Sequence, residues 1–197
     1  MAKLIEQNTV VLGSLNPAII QPNWLTKIGI IPSGAQVKAK YKVGSNLPGE
    51  FAWDIYKWTV DYGMMKIHLK PDQSPDQLNK FVSKIFENLS HTPVSAIGHN
   101  FIFEDNSVSS RNPPLKKNWG IGKQTKWGSV INLVEEITLI KDDVTKIRIN
   151  LNQQSDARKI SFNFHCDVTN VDQLLKFSQQ CKENLSVAKS ILEEFKN

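Results

Sequence analysis

The chain holds only two cysteines, Cys166 and Cys181, and they do not form a Cys-x-x-Cys pair. That excludes a disulfide framework and fits a reducing compartment. The four histidines, His68, His91, His99 and His165, include no close pair of metal-ligand spacing. No apolar run approaches the roughly 20 residues that cross a bilayer. The opening MAKLIEQN has an early acid and no apolar core of signal-peptide length. These absences predict a cytoplasmic protein that needs no membrane, no metal and no other cofactor. Catalytic motifs are missing too. There is no Gly-x-Ser-x-Gly elbow, and Gly120-Ile121-Gly122-Lys123 fails the phosphate-loop spacing because Lys117 and Gln124 stand where Gly and Ser/Thr are required.

Acidic residues are missing from two long stretches. None lies between Glu6 and Glu50, where Lys27, Lys38, Lys40 and Lys42 occur. None lies between Asp105 and Glu135, where Arg111, Lys116, Lys117, Lys123 and Lys126 occur. The net charge is only +5, so the unevenness bears on partners rather than on fold.

The composition, 40% apolar and 22% charged over 197 residues, is that of a globular protein with one good core. The clearest unit is Ser74 to Phe103. Ser74, Pro75 and Gln77 form a capping-box pattern. Leu78, Phe81, Val82, Ile85, Phe86 and Leu89 then repeat at helical spacing, so this helix lies on something. Pro93 stops it, and Val94 to Phe103 reads as a strand. Before that unit, Thr9 to Ile20 is apolar enough for a strand, and Pro22 to Leu25 opens a short helix that Gly29 ends. Gln36 to Val43 alternates, with Lys38, Lys40 and Lys42 on one wet face. Phe51 to Val60 and Met64 to Leu69 form a hairpin about Asp61-Tyr62-Gly63.

After it, Ser129 to Ile140, Val144 to Leu151 and Lys159 to Asp167 are strands, with Gln153 to Arg158 a polar loop. Asn170 and Gln173 cap a last helix that meets no Gly or Pro and runs some 25 residues. The fold class is therefore α+β, with a mainly antiparallel sheet of about seven or eight strands and two amphipathic helices. The chain reads as a single domain, 1–197, whose halves 1–105 and 127–197 are joined by a basic Pro/Gly loop, 106–126. The shared helix starts, Asp76-Gln77-Leu78 and Asp172-Gln173-Leu174, admit a duplicated strands-plus-helix unit.

His165-Cys166-Asp167 holds nucleophile chemistry on paper. On a strand, neighbours point to opposite faces, so Cys166 goes inward and its neighbours out. His99 shares an apolar face with Ile97, Phe101 and Phe103, which suits a core histidine. The segment Arg111 to Trp127 has five cations, no acid, and the aromatics Trp119 and Trp127. It could line a nucleic-acid groove or dock an acidic protein.

The residues Leu89 to Phe101, with Thr92-Pro93-Val94-Ser95-Ala96-Ile97-Gly98-His99-Asn100-Phe101 at their centre, together with Leu15-Asn16-Pro17-Ala18 and Trp24-Leu25, resemble an uncharacterised bacterial and phage-associated α+β family. The resemblance implies a helix followed by a strand, a β-rich half and a closing helix, and a mobile-element or host-defence context. It carries no catalytic residue. Strands followed by a long terminal helix also look like the export chaperone SecB, whose acidic character the +5 charge does not share.

The expected function is a non-enzymatic interaction protein, a small subunit or adaptor that binds a protein partner or its own copies through a sheet face or the basic loop. Five tryptophans and nine phenylalanines exceed what two helices need, and aromatics anchor interfaces. The binding residues singled out are Lys38, Lys40, Lys42, Arg111, Lys116, Lys117, Trp119, Lys123, Lys126 and Trp127. The alternatives are a nucleic-acid-binding protein using those cations, a SecB-like chaperone, and an enzyme assembled from distant residues with His99 or His165.

Overall fold

The computed structural model describes residues 2–41, 48–105, 133–141, 145–154 and 157–194. Nine strands form one antiparallel sheet: β1 (Lys3–Gly13), β2 (Lys38–Tyr41), β3 (Pro48–Trp53), β4 (Tyr56–Val60), β5 (Met64–Leu69), β6 (Val94–Asp105), β7 (Leu133–Ile140), β8 (Thr145–Gln154) and β9 (Ala157–Asp167). Their lateral order is β2-β3-β4-β5-β1-β6-β9-β8-β7. Four helices accompany them among the described residues: α1 (Pro22–Lys27), α2 (Asp76–Asn88), α3 (Val171–Ser178) and α4 (Cys181–Glu194). The α+β class and the antiparallel sheet follow the pattern expected from the alternating stretches.

Apart from the additional edge strand β2, which pairs with β3, the described strands of the two halves share one connectivity. β1 pairs with β5, the last strand of the meander β3-β4-β5, and α2 follows. Likewise β6 pairs with β9, the last strand of the meander β7-β8-β9, and α3 and α4 follow. The first strands, β1 and β6, lie antiparallel side by side at the middle of the sheet.

One face of the sheet is the core. Val11, Trp58, Met65, Ile67, Ile97, Phe101, Phe103, Phe162 and Phe164 project from it and are at most 2% exposed. The α2 stripe answers with Leu78, Phe81, Val82, Ile85 and Phe86, equally buried. Each such burial contributes about 1.5–3 kcal/mol. Phe81 sits 5.7 Å from Trp58 and 4.9 Å from Tyr56, ring to ring. Leu174, Phe177, Leu185, Ala188 and Leu192 of α3 and α4 cover the other half of the same face.

Several boundaries differ from the sequence expectations. β1 begins at Lys3 and ends at Gly13, rather than spanning Thr9 to Ile20. A bulge between Leu4 and Glu6 reverses the alternation, so Leu4, Gln7, Thr9 and Val11 share the core side. At its last residue, Gly13, the strand passes so close to Pro93 that a Cβ would collide with the Pro93 carbonyl oxygen, so glycine is required there. The stretch Phe51 to Val60 is two strands, turned at Asp54, whose φ of 51° lies in the left-handed region that aspartate tolerates better than most residues. The polar loop Gln153 to Arg158 shrinks, since β8 runs to Gln154 and β9 starts at Ala157.

The capping box on α2 does not form. Pro75 is the cap residue and makes no side-chain cap bond, while Gln77 reaches the Tyr56 hydroxyl instead. The box on α3 does form: Gln173 N donates to Asn170 Oδ1 at 2.9 Å, and Thr169 N donates to Gln173 Oε1 at 2.8 Å. The single long helix breaks at Gln179-Gln180 into α3 and α4. There the Ser178 hydroxyl bonds both the Leu175 carbonyl and Asn79 Oδ1 of α2, and the Gln180 N–H closes a tight bond to Phe177. Side-chain bonding of this kind bends helices without Gly or Pro.

Candidate functional site

Helices cover the core face of the sheet, and the opposite face carries the polar half of every alternating strand. Cross-strand register places one row on that face, running Lys38, Ala52, Lys57, His68, Asn8, Asn100, Asn163, Arg148 and Thr138 from β2 to β7. At its centre three carboxamides are chained. Asn163 Nδ2 donates to Asn100 Oδ1, Asn100 Nδ2 donates to Asn8 Oδ1 at 2.8 Å, and Asn8 Nδ2 donates to Glu6 Oε1 at 2.8 Å. Every amide is thereby fixed in orientation, with the chain anchored on one carboxylate. Asn8 is buried, while Asn100 and Asn163 remain half-exposed.

Two carboxylates on this face are each held by a lysine and a histidine, one in each half of the sheet. Glu6 lies 3.6 Å from Lys66 Nζ and 3.3 Å from His68 Nδ1. Asp167 lies 3.6 Å from Lys146 Nζ and 3.0 Å from His165 Nε2. The His165 hydrogen bond, helped by Lys146, holds the Asp167 carboxyl below its ordinary range. Burial, and then Lys66, push His68 below the usual histidine value against the pull of Glu6. A third carboxylate, Glu50, is lowered mainly by its bond to Lys57 at 2.7 Å, with Lys40 at 3.2 Å.

The described residues of this face thus carry eight cations, Lys3, Lys38, Lys40, Lys57, Lys66, Lys146, Arg148 and Lys159, against four carboxylates, and the register of β7 adds a fifth acidic position, Glu136. Three of the four carboxylates are already paired with lysine, and the fourth, Glu104, stands between Lys3 and Lys159 in register. Arg148 is exposed and makes no ion pair among the described residues. No Phe, Tyr or Trp shares the row from Lys38 to Thr138. Gly98, two residues before Asn100 on β6, stands where a side chain has little room. A Cβ would come within 3.3 Å of Asn163 Nδ2 and of the Phe164 carbonyl oxygen.

Of the residues singled out by sequence, Lys38 and Lys40 project from edge strand β2 onto this basic face. Lys42, Arg111, Lys116, Lys117, Trp119, Lys123, Lys126 and Trp127 lie outside the described residues. Reading strand by strand missed the asparagine row. Its signal was an Asn at an outward position in each of three strands, and only the register aligns them.

His99 is a core residue, 1% exposed and stacked on Phe177 at 4.8 Å. Asn184 Oδ1 accepts from Lys141 Nζ at 3.1 Å, so its Nδ2 donates to His99 Nδ1 at 3.0 Å. The proton of the neutral ring is thereby assigned to Nε2. Burial, with Lys141 adding to it, pushes His99 down to about 3. Cys181 packs in the same core and is pushed up to about 12 by burial, which the Thr9 hydroxyl opposes in part. A neutral thiol and a neutral imidazole sealed from water form a packing cluster rather than a nucleophile and its base. An open groove of about 570 Å³ beside α2, walled by Tyr56, Gln77, Asn79, Lys80, Lys84 and Gln179, holds no comparable convergence of charge.

No group of three or more His, Cys, Asp and Glu among the described residues is placed to hold a metal ion. No described helix is long and apolar enough to cross a membrane. No family model matches the chain, and no curated protein matches it.

Proposed function

We propose that this protein is a non-enzymatic binding protein, a small subunit or adaptor, whose working surface is the face of the sheet opposite the described helices. Its partner is an acidic macromolecule. One observation carries this reading: eight cations share that face with five acidic residues, three of which neighbouring lysines already pair, around a centre of oriented amides. A surface of one sign recruits a partner of the other and sets its approach. The sealed, neutral states of His99 and Cys181 favour binding over covalent chemistry.

Salt elution from immobilised heparin, a defined polyanion, tests the surface. The charge-reversed pair Lys146→Glu and Arg148→Glu should leave the matrix earlier, by on the order of 0.1 M salt. The pair Lys84→Glu and Lys189→Glu, on exposed positions of α2 and α4, removes the same charge from the helix side and should shift far less. Equal shifts from both pairs would show a response to net charge alone and would defeat the proposal.

A further inference from the structure

We propose that the face opposite the described helices seats an A-form nucleic-acid duplex, with the chained asparagines over its minor groove and the flanking cations on its phosphates; this rests on the docking surface proposed above. Neighbouring strands lie about 4.8 Å apart, so the row from Lys38 to Arg148 crosses seven gaps, about 34 Å along the sheet. Cations sit toward both ends of that row, and its middle, Asn8, Asn100 and Asn163, is uncharged. A charged rim around a neutral hydrogen-bonding centre matches a groove, whose phosphates border exposed base and sugar edges.

The identity of the groove follows from the shape of the face. A major groove admits a helix or a two-stranded ribbon, and a nine-stranded sheet is too broad for it. The wide, shallow minor groove of an A-form helix presents 2′-hydroxyls, each both donor and acceptor. A carboxamide offers both roles. Asn100 and Asn163 each spend one N–H on the chain and keep the second, and Asn8, anchored on Glu6, is the positioning residue that holds them. Single strands and acidic proteins fit less well. The row has no Phe, Tyr or Trp for bases to stack on and no large apolar anchor of the kind that dominates protein interfaces.

The test is fluorescence anisotropy with the full chain and labelled probes of one sequence, an RNA duplex of about 16 base pairs, the matching DNA duplex and the single RNA strand, with poly-glutamate as competitor. The RNA duplex should bind several-fold tighter than the DNA duplex and about tenfold tighter than the single strand, with affinity falling steeply with salt. Arg148→Glu and Lys57→Glu, both exposed positions, should each reduce the salt slope by roughly one. Asn163→Ala should keep the slope and lose the preference for RNA over DNA, and Asn163→Ser should do the same if the alanine variant folds poorly. Equal affinity for single strand or DNA duplex, or displacement by poly-glutamate at matched charge, overturns the duplex assignment. If open-face charge reversal weakens heparin binding but no RNA duplex binds, the docking face stands and the A-form assignment fails. If neither probe responds, both fall.

Discussion

Replacing His99 by phenylalanine should make the protein's stability less sensitive to acid. In the folded state the ring is neutral, sealed between the sheet and Phe177, and takes a proton only near pH 3 rather than at the ordinary value of 6.5. In the unfolded chain the same ring is free to protonate at its ordinary value. Stability from this residue is therefore fully present above about pH 6.5 and drains as pH falls, because the unfolded state binds the proton first. At about pH 5 the difference amounts to about 2 kcal/mol, a large part of the net stability of a domain.

Phenylalanine keeps the stacked ring and removes the titration. It also strips Asn184 Nδ2 of its acceptor, which costs about 1–3 kcal/mol at every pH. Urea unfolding at about pH 7.5 and about pH 5 separates the two effects. The variant should start lower at the higher pH and fall by about 2 kcal/mol less than the parent between them. His68 is also depressed and contributes acid sensitivity of the same sign, but it is present in both proteins and cancels. A variant that loses as much stability as the parent over this interval would show that His99 does not stay neutral in the fold.

Two further outcomes are expected. Asn170→Ala should cost about 1 kcal/mol in urea unfolding because it removes the cap of α3, whereas Ser74→Ala should cost less, since the Ser74 hydroxyl accepts only a long 3.4 Å bond from the Asp76 N–H at α2; equal losses would refute the cap geometry. Cys166 and Cys181 are both buried, and with the Cys181 thiol near 12 its thiolate fraction at about pH 8 is on the order of one in ten thousand. A thiol-specific reagent should therefore label the folded protein slowly and the urea-unfolded protein at both sites, and rapid labelling at Cys181 in the native state would contradict its burial.

Where one face of an element meets the core, period alone located it. The stripes of α2 and the alternation of β9 are visible because apolar residues repeat at fixed spacing. β1 was obscured for a physical reason. It is the central strand of the sheet, yet Gln7, Asn8 and Thr9 are buried in it, each with work that local pattern cannot announce. Gln7 ties down the carbonyls of Lys70 and Gln73, Asn8 joins the amide chain, and the bulge at its start reverses its alternation. The break between α3 and α4 was equally hidden, because Ser178 bends the helix through Asn79, a residue of another helix. The asparagine row depends on register among strands separated by up to 92 residues in sequence. Lys38 and Lys40 could be placed on a wet face from alternation, but their alignment with Arg148 could not.

The central pairing of β1 with β6 also orders events during synthesis. Lys3 lies opposite Glu104, so β1 waits for about a hundred residues of chain before its second side is satisfied. Until β6 leaves the ribosome, the first meander and α2 can assemble around β1 with one backbone edge of that strand bare. An unpaired edge of this length is a template for any strand that meets it, including the same edge of another nascent chain. Asn8, whose side chain accepts from Asn100 across that seam, gives the arriving β6 a partner-specific bond in addition to the backbone ladder. The middle of the sheet is thus the joint along which the protein closes, and the place where two incomplete copies would exchange strands.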